Sequence, residues 1–210
     1  DLIAGVEWRR ESVGGDTAFT QTSRRIGSAY GGASARVGAH RVEGSLRVDR
    51  NSQFGTRTTG RAGYGLDLTP HWRLTTSAGT GFHAPSFNDL YFPLSFGFSG
   101  NPQLRPERSR GGDLALRYAQ GGTTASLTLF AQRIRDLIAV DPTFTTVVNV
   151  QRARIHGATL AGRQALGTWR LDGELTVQQA RDADTDARLV RRAKHHGRAG
   201  VAYAPGPWQA

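Results

Sequence analysis

The amino-acid sequence predicts an all-β fold, a transmembrane antiparallel up-and-down β-barrel to which this chain contributes about ten strands. Three observations carry that expectation. Apolar residues recur at every second position over segments of about ten residues, the length a tilted strand needs to cross a bilayer. Short and long connections alternate along the chain, as they do when turns gather at one end of a barrel and loops at the other. Trp72, Trp169 and Trp208 each follow directly on a short turn, which puts three indoles at one edge.

Each strand has its own pattern. The first is expected over 1–12, where Leu2, Ala4, Val6 and Trp8 oppose Gly5, Glu7 and Arg9. Strands over 23–37 and 42–51 follow, and then one over 56–68, where Ala62, Tyr64, Leu66 and Leu68 oppose Arg61, Gly63, Gly65 and Asp67. Over 72–82 the set Trp72, Leu74, Thr76, Ala78, Thr80 and Phe82 alternates with Arg73, Thr75, Ser77, Gly79 and Gly81. A strand over 107–119 sets Leu114, Leu116 and Tyr118 against Asp113, Ala115 and Arg117. Strands over 124–136 and 147–166 lead to one over 169–180, where Trp169, Leu171, Gly173, Leu175 and Val177 face away from Arg170, Asp172, Glu174, Thr176 and Gln178. The tenth is expected over 188–204. Short connections fall at 38–41, 69–71, 120–123, 167–168 and 205–207, and longer ones at 13–22, 52–55, 83–106, 137–146 and 181–187.

In a barrel of this kind the apolar set meets outer-membrane lipid, while Arg9, Arg47, Asp49, Arg61, Asp67, Arg73, Asp113, Arg117, Arg170, Asp172 and Glu174 line the inside. A charged lumen reconciles a mean hydropathy of −0.44 with a membrane protein. Indoles at one edge form an interfacial girdle of Trp72, Trp169 and Trp208, since the ring is apolar in body and polar at its N–H. No segment reaches the roughly 18 apolar residues that a spanning helix requires. The net charge of +10 rests on arginine, because Lys194 is the only lysine, and the arginines are spread along strands instead of clustered. That distribution argues against nucleic acid as a partner. The 27 glycines among 210 residues show no collagen period and serve turns and thin strand faces.

No catalytic constellation emerges. Cysteine is absent, which removes disulfides, thiolate metal sites and cysteine nucleophiles. His195 and His196 are adjacent, so in a strand they point to opposite faces and do not share a metal. "DADTD", with Asp182, Asp184 and Asp186, has spaced carboxylates but lacks the glycine and terminal glutamate of a calcium loop, and reads as a solvated acidic loop. No metal, no cofactor and no enzyme activity are expected.

Residues 81–109, "GFHAPSFNDLYFPLSFGFSGNPQLRPERS", hold five of the nine phenylalanines of the chain within a loop rich in proline and glycine. This stretch closely resembles the signature of TonB-dependent outer-membrane receptors. There a strand ends in Phe-x-Ala-Pro, and Gly-Asn-Pro-x-Leu-x-Pro-Glu opens the next. Gly81, Phe82, Ala84, Pro85, Leu90, Tyr91, Gly100, Asn101, Pro102, Leu104, Pro106 and Glu107 carry the match. "TTGRAGYGLDLTPHWRL" before it and "NVQRARIHGATL" after it are similar to the same family, although Thr159 stands where the family pattern has glutamate. With "LVRRAKHHG" these segments resemble most the cobalamin-receptor branch.

The resemblance implies a bacterial outer-membrane barrel of about 22 strands around a plug domain that contacts TonB, importing a scarce bulky ligand of the cobalamin or siderophore class. Residues 1–210 are then expected to be a middle-to-late part of that barrel, with the plug and the closing strands outside the segment; the rival readings are a siderophore, heme or glycan receptor of the same family and a passive porin-like barrel. Prolines 85, 102 and 106 remove N–H donors and end ladder pairing, and Glu107 resumes a strand. Among the loop aromatics, Tyr91, Phe92, Phe96 and Phe98 are candidates for substrate contact. Phe96 and Phe98 come first because they lie in the Gly/Ser-rich stretch at the loop tip.

Overall fold

A computed structural model describes residues 1–189 and 192–204. Ten strands form one antiparallel sheet in which every strand pairs with its neighbours in sequence: β1 (Leu2–Ser12), β2 (Ser23–Val37), β3 (His40–Asn51), β4 (Gly55–Asp67), β5 (Trp72–His83), β6 (Glu107–Gln120), β7 (Thr123–Val140), β8 (Val147–Leu166), β9 (Trp169–Asp182) and β10 (His195–Tyr203). β1 and β10 do not pair, so the sheet is an open portion of a barrel. A short helix, α1 (Phe87–Tyr91), lies in the long β5–β6 connection.

Register fixes the two faces. Trp72 opposes Tyr118, Leu74 opposes Leu116, and Leu116 opposes Leu127. Leu127 then opposes Leu160, which opposes Leu175, so one apolar row crosses five strands. These side chains stay open to the surroundings, Leu160 at 57% and Leu175 at 52%, as expected of a face whose solvent is not water. The opposite face carries the charges. Arg47 bonds Glu7 and Asp49, each at 2.9 Å, and Asp67 gathers Arg36, Arg41 and Arg73. Mixed signs at this density neutralise one another across neighbouring strands.

Turns follow the expected alternation. β6 and β7 are joined by Gly121 and Gly122 with φ of 56° and 82°, the left-handed pair that a two-residue hairpin turn of matching twist demands. Three departures from the sequence expectation exceed two residues. β10 begins at His195 instead of residue 188, and Arg188 keeps only an isolated bridge to Arg181. β7 runs on to Val140 instead of ending at 136. Asp136 adopts φ 58°, yet the register is the same on both sides of it, from Arg135↔Arg152 to Leu137↔Val150 and on to Val140↔Val147. The connection expected over 137–146 is therefore shorter. α1 is the third, and its start is a capping box: the Ser86 hydroxyl accepts from Asp89 N–H at 3.1 Å while Asp89 accepts from Ser86 N–H at 2.8 Å. Pro93 follows just after its last turn, where a helix cannot continue.

Candidate functional site

The β5–β6 loop is built on a small apolar cluster at the long-loop end of the sheet. Leu90, Leu104 and Val147 are buried, and Phe54, Tyr91, Phe98 and Ile138 pack on them. Pro85 is fully buried beside α1, with Phe87 also buried. Gly100 packs directly against the helix backbone. A Cβ there would lie 2.7 Å from Phe92 N and 2.8 Å from Leu90 C, so only glycine lets Gly100 N–H reach the Phe92 carbonyl at 2.9 Å. Next to it, the Asn101 backbone N–H donates to the Asp89 carbonyl at 2.7 Å, and the Asn101 amide donates to the Val147 carbonyl at 3.0 Å.

Two sequence motifs meet at this point. Asn149, which opens the "NVQRARIHGATL" segment, accepts from Arg105 N–H at 2.9 Å and donates to the carbonyls of Arg105 and Asp136 at 2.9 and 2.7 Å. Pro106 ends this extended run, and Glu107 accepts from Ile138 N–H at 2.7 Å, bonding β7 just beyond Asp136. Pro102 is exposed. The signature residues thus act largely through the main chain: small at Gly100, apolar at Leu104, hydrogen-bonding at Asn101 and Glu107.

Arg24, on β2, is an anchor that motif reading did not single out. Its side chain is 8% exposed, donates to the Pro85 carbonyl at 2.7 Å and to Glu11 at 2.5 Å, and lies 5.1 Å from the Phe87 ring centroid. An arginine 61 residues away in sequence thus satisfies that buried carbonyl. The alternation of β2 assigns Arg24 to the polar face but says nothing of its partner.

The four aromatic candidates fall into different settings. Tyr91 is half-buried, and its hydroxyl donates to Gln21 Oε1 at 2.8 Å and accepts from Gln53 Nε2 at 2.5 Å, tying three loops together. Phe92 and Phe98 are half-buried with ring centroids 6.1 Å apart, and Phe98 also rests on the Leu90 cluster. Phe96 stands wholly exposed, at φ 48°, in a tight turn closed by Ser95 and Phe98. Beneath the loop, on the polar face, a cavity of about 430 Å3 is lined by Arg24, Arg47, Asp49 and Asn51 among others. The Phe82 ring has the Arg57 guanidinium 5.8 Å from its centre.

Other sequence features also take definite positions. Trp72 stacks with Tyr118 at 4.9 Å and Trp169 with Tyr203 at 4.5 Å, all at the short-turn end; Trp208 lies outside the described residues. Thr159 faces Thr176 across the polar face with their hydroxyls 2.8 Å apart, a neutral pair where a glutamate would need a cation. His195 opposes Val177 and His196 opposes Thr176, hence they sit on opposite faces. Asp184 pairs with Arg152 and Asp186 with Arg181, and the Arg152 guanidinium holds the Asp184 carboxyl below the usual carboxylate range. Asp141, in the β7–β8 loop, is held well below that range by the Thr143 hydroxyl and by the backbone N–H groups of Thr146 and Thr145.

Comparison with known proteins agrees with this geometry. The family model "TonB dependent receptor-like, beta-barrel" matches residues 1–210. The chain is 32% identical over its whole length to the vitamin B12 transporter BtuB of Photobacterium profundum, and 30% identical over 93% of its length to that of Vibrio vulnificus. It spans 35% and 32% of the length of those relatives. Among solved structures, the copper transporter OprC superposes with a TM-score of 0.78 at 21% identity, covering 98% of this chain and 38% of that one. The siderophore receptor PirA of Acinetobacter baumannii superposes at 0.77 and 18% identity, with the same coverage; both show a shared fold. With its open up-and-down sheet and its main-chain-clamped loop, the chain belongs to the TonB-dependent receptor family and forms part of the β-barrel of such a receptor.

Proposed function

We propose that this chain is the barrel portion of an outer-membrane transporter that binds a cobalamin-type ligand and imports it with energy transmitted through TonB. The observation that carries the reading is the 32% identity to a vitamin B12 transporter along the entire chain, signature loop included. The physical features support it. A continuous apolar face with paired aromatics at its short-turn edge suits a lipid bilayer. On the other face the ion pairs leave a polar, self-neutralised wall, which favours a large neutral or zwitterionic ligand over a small ion. Phe96, held out at the loop tip, offers a flat apolar surface to such a ligand, with Phe92, Phe98 and Tyr91 positioning it.

The test is equilibrium binding of radiolabelled cyanocobalamin to the full-length receptor, with ferric enterobactin and copper as competing ligands, followed by uptake in cells with and without TonB. Saturable cobalamin binding and uptake that stops without TonB are expected. Binding of a ferric siderophore in its place would move the receptor to that class, and uptake indifferent to TonB would make it a passive barrel.

A further inference from the structure

The outward, apolar face does not stay apolar to its upper end. Two rows of arginine cross it there. Thr80, Arg110, Arg133, Arg154 and Arg181 are successive register partners on β5 to β9, and two residues higher Phe82, Arg108, Arg135 and Arg152 form a second row. By strand parity these share the face of Leu114, Leu129 and Leu160. All seven arginines are exposed. Like charges directly opposite in an antiparallel pair are destabilising, so a two-row array needs counter-charge. The protein supplies part of it: Asp136 pairs with Arg108 at 3.0 Å, Asp184 with Arg152, and Asp186 with Arg181 at 2.9 Å and Arg154 at 3.9 Å. Among the described residues, Arg110, Arg133 and Arg135 have neither a carboxylate nor a hydrogen-bond partner. They line a cleft of about 550 Å3 together with Arg152 and Arg154. Below it, Ala78, Ala131 and His156 border a second groove of about 1050 Å3, on the strand face that carries Leu114 and Leu129.

Height decides what can sit there. From Tyr118 to Arg108, at about 3.4 Å per residue and a tilt of about 40°, β6 climbs roughly 26 Å, close to the ~25 Å apolar band of an outer-membrane barrel. The arginines therefore stand at head-group level on the loop side when the aromatic pairs stand at the opposite interface. The arginines are rooted about 5 Å apart across strands and about 7 Å apart along them, a lattice that suits several phosphates better than one carboxylate. We infer that Arg110, Arg133 and Arg135 bind the phosphates of a phosphorylated glycolipid in the outer leaflet, whose acyl chains run down the groove past Ala131 and His156. This rests on the outer-membrane placement proposed above, but not on the identity of the transported ligand.

The experiment is native mass spectrometry of the full-length receptor in detergent, titrated with bis-phosphorylated lipid A, monophosphoryl lipid A and inorganic pyrophosphate. The triple variant R110Q/R133Q/R135Q is expected to weaken bis-phosphorylated lipid A binding at least about tenfold, while R110K/R133K/R135K, which keeps the charge, retains most of it. Monophosphoryl lipid A is expected to bind the wild type more weakly. Equal binding of bis-phosphorylated lipid A by the wild type and the glutamine variant would overturn the inference. So would pyrophosphate displacing the lipid at equal concentration, which would make this a site for a soluble anion. Cyanocobalamin binding is measured on the same preparations. Its retention by the glutamine variant supports a site separate from the transported ligand, and its absence in the wild type would reject the cobalamin reading while leaving the lipid result standing.

Discussion

Asn149 makes three hydrogen bonds to the chain around Arg105 and Asp136, two of them to Arg105 itself at 2.9 Å. A side chain at the start of β8 thereby serves as the missing strand partner for a proline-flanked segment that cannot form a ladder of its own. The Asn149→Ala receptor is expected to lose about 1–3 kcal/mol of local stability, because two carbonyls and an N–H lose their partner at once. Hydrogen–deuterium exchange over 99–107 reads it directly, with faster exchange there and unchanged exchange in β1 to β4.

Arg24 offers a second, sharper test. It is buried, and its removal leaves the Pro85 carbonyl without its donor and the Glu11 carboxylate with Arg9 alone, 3.2 Å away. Arg24→Ala is expected to cost about 3 kcal/mol, and Arg24→Lys most of that, since a single ammonium does not reach both acceptors with one planar fork. The measurement is limited proteolysis of the long loop in intact outer membranes, where cleavage near Ser86 rises in both variants.

Phe96 and Phe98 are two residues apart, and their different settings let the proposed ligand contact be tested apart from loop packing. Phe98 leans on Leu90 and Phe92, whereas Phe96 touches open space. Phe98→Ala is expected to loosen the loop by about 1–2 kcal/mol, as partial loss of a buried aromatic does. Phe96→Ala leaves loop exchange unchanged and weakens cobalamin binding severalfold. Unchanged binding in Phe96→Ala would remove it from the site.

The Asp141 loop has a defined pH response. Its carboxylate titrates well below the usual value near 3.9 because four donors, the hydroxyls of Thr143 and Thr145 and the N–H groups of Thr145 and Thr146, hold the charged form. A depressed pKa contributes stability that is fully present above the unfolded value and is lost as pH falls through the folded one. Amide exchange of Thr145 and Thr146 should therefore stay slow down to about pH 4 and quicken below it. In Asp141→Asn that step disappears.

Alternation alone was enough to assign most strands, both faces and the placement of short and long connections, because a strand's side chains project with a period of two whatever the rest of the fold does. That is why Leu114, Leu116 and Tyr118 could be put on one face before any pairing was known. It failed where backbone departs from that period: Asp136 at φ 58° inside β7, and the late start of β10. α1 was marked in the sequence by Ser86 and Asp89 in capping-box spacing, ahead of Phe87 and Leu90, but the surrounding prolines and glycines made the stretch read as loop throughout.

The sequence by itself determined the all-β class, the barrel-like connectivity and, through the Phe-x-Ala-Pro and Gly-Asn-Pro segments, the family, since these depend on local alternation and on residues close together in the chain. Tertiary structure alone decided that Arg24 supports Pro85, that Asn149 clamps Arg105, that Tyr91 ties loops while Phe96 stands free, and that arginines on four strands fall into two rows. Each of these depends on strand register, and register is set by pairing between segments tens of residues apart, where a shift of one residue would send every side chain to the other face.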